Sequence, residues 1–156
     1  MLPTVLQQLQ SRSAGLHVRW EMLLRIEPVR TPLANPDALV RLIPDSIAEI
    51  LTLLQSNSGE NVSLIETQTD RLPACHCGRN PYLAYFIAAE QAFVETIVLI
   101  QSELPAEHRR ERDVAVAIRT IRELGRSEID TFCSICAFRG SDPRCRHAAA
   151  GCMPVR

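Results

Sequence analysis

Residues 80–136, NPYLAYFIAAEQAFVETIVLIQSELPAEHRRERDVAVAIRTIRELGRSEIDTFCSIC, decide the fold of this chain. Asn80 followed by proline is a typical helix start, and Pro105 followed by a polar stretch is a typical break between helices. The predicted helices, 81–104 and 111–136, are each roughly 36 to 39 Å long at about 1.5 Å per residue. Two helices of matched length with a short connection predict an antiparallel hairpin.

Apolar residues recur at helical spacing in both halves of this hairpin. In the first helix they are Leu83, Phe86, Phe93, Ile97, Ile100 and Leu104. In the second they are Val114, Ile118, Ile121, Ile129 and Phe132. Glu90 falls on the first stripe, either at its margin or as a buried acid that needs a partner. Gly125 falls where a neighbouring helix could approach closely.

The chain before the hairpin predicts two further long helices. The first spans residues 2–27, with its apolar spacing broken only at Ser13. The second spans residues 36–54, begins after the N-cap Asn35, and either bends or starts again at Pro44. No strand-like alternation occurs. We therefore predict an all-α fold, an antiparallel bundle of about four main helices in one domain (1–140), followed by an irregular C-terminal tail (141–156).

Composition excludes several classes of protein. All 17 basic residues are arginine, so the chain lacks the lysine that a Walker A loop, a Schiff-base enzyme or a lysine general base requires. The net charge of −1 gives no reason to expect binding to nucleic acid or to an anionic membrane. No apolar run reaches the roughly 18 to 20 residues of a membrane span, and the first residues lack the pattern of a secretory signal. We expect a cytoplasmic protein whose cysteines are kept reduced.

Four cysteines form the most informative pattern. Cys75 and Cys77 precede the predicted hairpin, and Cys133 and Cys136 end it, so the hairpin brings all four to one end. Four clustered thiolates are the usual ligands of structural zinc and equally hold an iron–sulfur cluster, and buried thiols without metal are a third reading. The nearby residues that could replace one of the four are His76, Cys145, His147 and Cys152.

The two cysteine segments, PACHCGRNP (73–81) and FCSICAFRGSDPRC (132–145), resemble the cysteine knuckles of zinc-binding accessory proteins for metalloenzymes. The resemblance implies zinc binding. The first segment has C-x-C where the knuckle has C-x-x-C, and the sequence between the segments is helical rather than hairpin-like. A thioredoxin-type use of the second pair is disfavoured, because that chemistry needs the nucleophilic thiol at a helix N-terminus.

These features lead us to expect a small regulatory or sensory binding module without enzymatic activity, stabilised by a four-cysteine zinc site. The alternative is a redox-active or redox-sensing protein that uses an iron–sulfur cluster or reactive thiols at the same cysteines. Wide apolar faces on the first two predicted helices indicate a protein partner or a symmetric homodimer. Trp20, within the first helix, is the expected fluorescence probe of that interface.

Overall fold

The computed structural model describes residues 1–26, 34–56 and 80–136. Within these ranges the chain is almost wholly helical and contains no strand, as the sequence predicts. The α-helices, in chain order, are α1 (Pro3–Ser11), α2 (Ser13–Ile26), the single turn α3 (Pro36–Leu39), α4 (Ile43–Ser56), α5 (Pro81–Glu103) and α6 (Glu111–Ile135). The predicted C-terminal tail, 141–156, lies outside the described residues.

The prediction of one continuous helix over residues 2–27 is wrong. The helix stops at Ser11, and Arg12 has backbone angles φ −99° and ψ 12°, outside the helical region. The hydroxyl of Ser11 donates to the carbonyl of Gln8 at 2.9 Å, which satisfies one of the carbonyls at the end of α1. A new helix then starts at Ser13, and both α1 and α2 pack against α4 and α5.

The start of the second predicted helix is confirmed, as is its interruption. The side chain of Asn35 accepts a hydrogen bond from the Asp37 amide at 3.0 Å, which makes Asn35 the N-cap of α3. A 3-10 turn, Val40–Leu42, separates α3 from α4. Because Pro44 is the second residue of α4, it starts a new helix and does not bend a continuous one.

The predicted hairpin is formed by α5 and α6, joined by Pro105 and a short 3-10 turn. Midway along the pair, the Arg122 guanidinium donates to both carboxylate oxygens of Glu90 at 2.8 Å. At the turn, the Gln101 side chain donates to the Arg110 carbonyl at 2.7 Å. Glu90 is therefore a partly buried acid with a partner on the facing helix, and the antiparallel arrangement of the two helices is confirmed.

α5 is the central helix of the bundle, flanked by α2 and α6. Arg19 on α2 is paired with Glu95 at 2.6 Å, and Arg12 is paired with Glu103 further along. The earlier residue, Arg12, pairs with the later position in α5, and Arg19 pairs with the earlier one. α2 and α5 are therefore also antiparallel. α4 packs against α1, α2 and α6 and completes the bundle.

Trp20 is at the centre of the core. It is fully buried, and its indole N–H donates to the Tyr85 carbonyl at 3.1 Å. Its ring centroid lies 4.7 Å from that of Tyr85 and 6.4 Å from that of Phe93. The expectation that Trp20 lies at a subunit interface is therefore wrong, because its ring is enclosed by α5 within one chain.

The buried stripe of α6 also differs from its prediction. Ile121 and Ile129 are buried as expected, whereas Val114, Ile118 and Phe132 are only partly buried. The remaining buried positions are mostly small or polar: Asp113, Val116, Ala117, Thr120, Gly125 and Cys133. Three of the five predicted large apolar residues therefore lie at the edge of the stripe, and its centre combines Ile121 and Ile129 with smaller residues.

The first turn of α6 also holds the beginning of the described chain. The Leu2 amide donates to a carboxylate oxygen of Asp113 at 2.9 Å, and Asp113 is itself buried. An acidic side chain at this position is favourable because the N-terminus of a helix carries partial positive charge. This contact fixes the start of α1 against the hairpin.

α5 is long and apolar enough to cross a membrane, by length and composition alone, and it is the one such helix within the described ranges. Glu90 and Glu95 interrupt its apolar residues and pair with arginines of α6 and α2. In the most apolar 18-residue window, 44% is buried inside the fold. We interpret α5 as the central helix of the bundle, with one side that the described chain leaves uncovered.

Candidate functional site

Cys133 and Cys136 lie at the end of α6, where the sequence places them. Cys133 is in the last turn and is buried, and Cys136 is the C-cap residue and is partly buried. Both are thiols and neither is part of a disulfide. The Cys133 sulfur accepts a hydrogen bond from the side-chain amide of Asn80 at 3.5 Å. The end of α6 is therefore in direct contact with the start of α5.

Asn80 makes this contact as part of a wider set of hydrogen bonds. Its side-chain oxygen accepts from the Tyr82 amide at 3.0 Å, which is the N-cap bond that the sequence predicts. Its side-chain nitrogen also donates to the Ile129 carbonyl at 3.2 Å. The sequence reveals only the cap. Asn80 also joins the two helix ends, and this second role cannot be read from the sequence because it depends on which groups of α6 face the side chain.

Apolar and aromatic side chains enclose this end of the hairpin. Ile129 and Cys133 form a small buried cluster, covered by Tyr82 and Leu83. The Tyr82 ring also packs edge-on against Phe132, with ring centroids 6.2 Å apart. Such surroundings exclude water, which strengthens the electrostatic interactions of any group held there.

The other predicted ligands, Cys75, Cys77, His76, Cys145, His147 and Cys152, lie outside the described residues. Within residues 1–26, 34–56 and 80–136, no group of three or more histidine, cysteine or acidic side chains is arranged to hold a metal. Only Cys133 and Cys136 of the four predicted ligands fall in those ranges, so the four-cysteine site remains a prediction.

The position of the two thiols bears on thiol chemistry. Cys133 and Cys136 are at the C-terminal end of α6, whereas the nucleophilic thiol of a thioredoxin-type site lies at a helix N-terminus. The arrangement therefore does not provide the helix N-terminus that thioredoxin-type catalysis uses.

A second feature is a small pocket between α4, α5 and α6, with a volume of about 140 Å³. Its lining includes Ser46, Tyr85 and the carboxylates of Asp45, Glu49 and Glu128. The Tyr85 hydroxyl donates to Ser46 at 2.9 Å. Burial raises the pKa of the Tyr85 phenol, the hydrogen bond with Ser46 lowers it in part, and the Asp45 carboxylate adds to the rise. The phenol therefore stays protonated and acts as a hydrogen-bond donor.

The most extensive exposed apolar surface lies on the outer side of α2 and α5. Six large apolar residues there are exposed, from 49% at Ile87 to 77% at Ile26. We call this surface the outer face and define it as Val18, Met22, Ile26, Ile87, Val98 and Leu99. The spacing of four in α2 and of eleven between Ile87 and Val98 each returns to the same side of a helix. These intervals are visible in the sequence, but the two rows form one surface only because α2 and α5 are neighbours in the fold.

The ion pair of Arg19 and Glu95 lies between the two rows of the outer face. Arg19 donates to both carboxylate oxygens of Glu95, at 2.6 and 2.9 Å, and Gln91 donates to the same carboxylate at 2.9 Å. The hydrogen bond from Arg19, with a smaller effect from Gln91, lowers the pKa of Glu95. Both groups therefore stay charged near neutral pH, and this pair contributes one charge of each sign to the outer face.

Comparison of the chain with protein-family models, with curated proteins and with solved structures gives no match. The function is therefore argued from the chain's own residues.

Proposed function

We propose that the protein is a cytoplasmic regulatory or sensory binding module without enzymatic activity. In this proposal, zinc bound by Cys75, Cys77, Cys133 and Cys136 holds the open end of the α5–α6 hairpin together. The module acts through a protein partner, which binds a surface of the helical bundle.

The contact between Asn80 and Cys133 carries this proposal, because it fixes the start of α5 beside the end of α6. Cys77 is three residues from Asn80 along the chain, and three residues span at most about 11 Å. Ligands of tetrahedral zinc lie about 2.3 Å from the metal, so their sulfurs must be close together. The short connection to Asn80 therefore limits the distance of Cys77 from the end of α6, which supports the proposal.

A sensory role follows from the chemistry of the ligands. Thiolates hold zinc only while they are reduced and deprotonated, so oxidation or competition for the metal releases it. Release would free the end of the hairpin, and the remainder of the bundle would be held by its core. The spare residues Cys145, His147, Cys152 and His76 could substitute for a ligand or bond to a released one.

The metal content of the purified full chain tests the proposal. We expect a colourless protein that contains one equivalent of zinc per chain when it is purified without oxygen, because four thiolates form a closed zinc shell. Elemental analysis and an absorbance spectrum measure this result. A brown protein that absorbs visible light would instead support the iron–sulfur form of the alternative. A protein without bound metal would overturn the zinc proposal and leave only the alternative of reactive thiols.

A pair of serine variants tests whether the metal is structural. Cys77→Ser is expected to lower the melting temperature by about 10 °C or more, because loss of a structural metal removes several kcal/mol and each kcal/mol shifts the midpoint by about 2–4 °C at this chain length. Cys152→Ser is the matched control, with little expected change. Thermal unfolding followed by circular dichroism measures both, and equal midpoints would indicate that Cys77 is not a ligand.

A further inference from the structure

We propose that the partner is a second copy of this chain, and that the outer face is the interface of a symmetric homodimer. This inference rests on the proposed function of a binding module and identifies the surface and the partner. The predicted homodimer buried parts of the first two helices. The structure favours a different surface for the dimer. The apolar residues of α4 are mostly buried in the core, whereas six of the eight exposed large apolar side chains in the described ranges belong to α2 and α5.

The first argument is the grouping of exposed apolar residues. Exposed large apolar side chains are normal when they are scattered, whereas a contiguous group indicates a contact site. Six of the eight exposed large hydrophobic side chains in the described ranges belong to the outer face. Three of these residues, Ile87, Val98 and Leu99, are on α5. Their exposure explains why a helix with the composition of a membrane span is less than half buried in the bundle.

The second argument is charge. A symmetric dimer brings two identical surfaces together, so a surface with net charge repels its own copy. Arg19 and Glu95 lie between the apolar rows and contribute charges of opposite sign that cancel. Arg25, next to Ile26, is likewise paired, with Glu21 and Asp37. An anionic membrane would favour a surface with a basic excess, which this face lacks. The charge pattern therefore favours a second copy over a lipid surface.

The third argument is geometry. α2 and α5 are antiparallel neighbours with their ion pair between the two apolar rows. A two-fold axis that runs parallel to these helices, beside the ion pair, places α2 of each copy against α5 of the other. The two pairs of helices then pack face to face. The central arginine and glutamate of each copy then face groups of opposite charge. The apolar rows on both sides of the pair would be removed from water.

Analytical ultracentrifugation of the full chain with its bound metal tests this proposal. We expect a species of twice the 17.4 kDa chain mass at about 200 µM, dissociating on dilution towards about 1 µM. Met22→Glu and Val98→Glu should each raise the dissociation constant at least about tenfold, because each places a carboxylate at two points of the symmetric interface. Circular dichroism confirms that the variants keep their helices.

Leu42→Glu is the matched control, since Leu42 is an exposed leucine that lies beside α4 and away from the outer face. It should leave the dissociation constant unchanged. A monomer at about 200 µM, or a dimer that is insensitive to Met22→Glu, would overturn the inference. Zinc content measured on the same sample separates the two proposals: a zinc-bound monomer contradicts only the dimer, and a metal-free dimer contradicts only the zinc site.

Discussion

Replacement of Trp20 by alanine is expected to destabilise the protein by about 3–5 kcal/mol, the range for removal of a large buried aromatic side chain. Trp20 is fully buried, packs against the rings of Tyr85 and Phe93, and donates a hydrogen bond to the Tyr85 carbonyl. The variant loses this packing and leaves that carbonyl without its donor. Urea unfolding followed by far-ultraviolet circular dichroism measures the change, since the variant has no tryptophan fluorescence.

Two further variants make this result specific. Trp20→Phe keeps an aromatic ring and loses the indole N–H, so it should cost less, about 2 kcal/mol. Ala14→Ser changes an exposed position of the same helix, outside the outer face, and should change stability by no more than about 0.5 kcal/mol. A Trp20→Ala variant as stable as Ala14→Ser would show that α2 does not pack on α5 as described.

The second large effect is expected at Asn80, where aspartate should destabilise the protein by about 2–4 kcal/mol. Aspartate and asparagine are equally good N-caps, so a residue that acts only as a cap tolerates this exchange. Asn80, however, is buried and its side-chain nitrogen donates to the Ile129 carbonyl and the Cys133 sulfur. Aspartate replaces that donor with a buried negative oxygen facing two acceptors. Denaturant unfolding of the two proteins measures the difference.

Asn80→Ser provides the comparison for this prediction. Serine retains the cap and loses only the amide donor, so it should cost about 1–2 kcal/mol and fall between the native protein and the aspartate variant. Acidification should reduce the deficit of the aspartate variant, because a protonated carboxyl is neutral and can donate. If aspartate proves harmless at neutral pH, the side-chain nitrogen of Asn80 does not join the helix ends.

The hairpin could be predicted from the sequence because its signals are local. Asn80 before a proline marks the start of α5, and Pro105 marks its end. The break at Arg12 could not be predicted in this way, since no proline or glycine occupies residues 11–13 and serine only mildly disfavours a helix. The packing of the helices gives no reason for this break, because α1 and α2 both pack against α4 and α5. The stripe of α6 differs from its prediction because large apolar residues dominate a periodicity pattern, whereas small residues such as Ala117 and Gly125 are also buried.

For the candidate site, the sequence was sufficient to place Cys133 and Cys136 at the open end of the hairpin. This placement needed only two helices of similar length joined by a short turn, and strong local signals mark both ends of the first helix. The sequence did not predict that Asn80 connects the two helix ends. A hydrogen bond between residues 80 and 133 is not visible in the spacing of neighbouring residues. The outer face was missed for the same reason, since it exists only where two separate helices become neighbours.

The place of α5 in the chain has a consequence for synthesis on the ribosome. α5 is the central helix, yet it lies well after α1, α2 and α4 in the sequence. At about 5–20 residues per second, several seconds separate the completion of α4 at Ser56 from that of α5 at Glu103. Throughout that interval, the side chains that will enclose Trp20 are missing. The nascent N-terminal helices therefore expose their core side chains, Trp20 among them, until α5 has been synthesised.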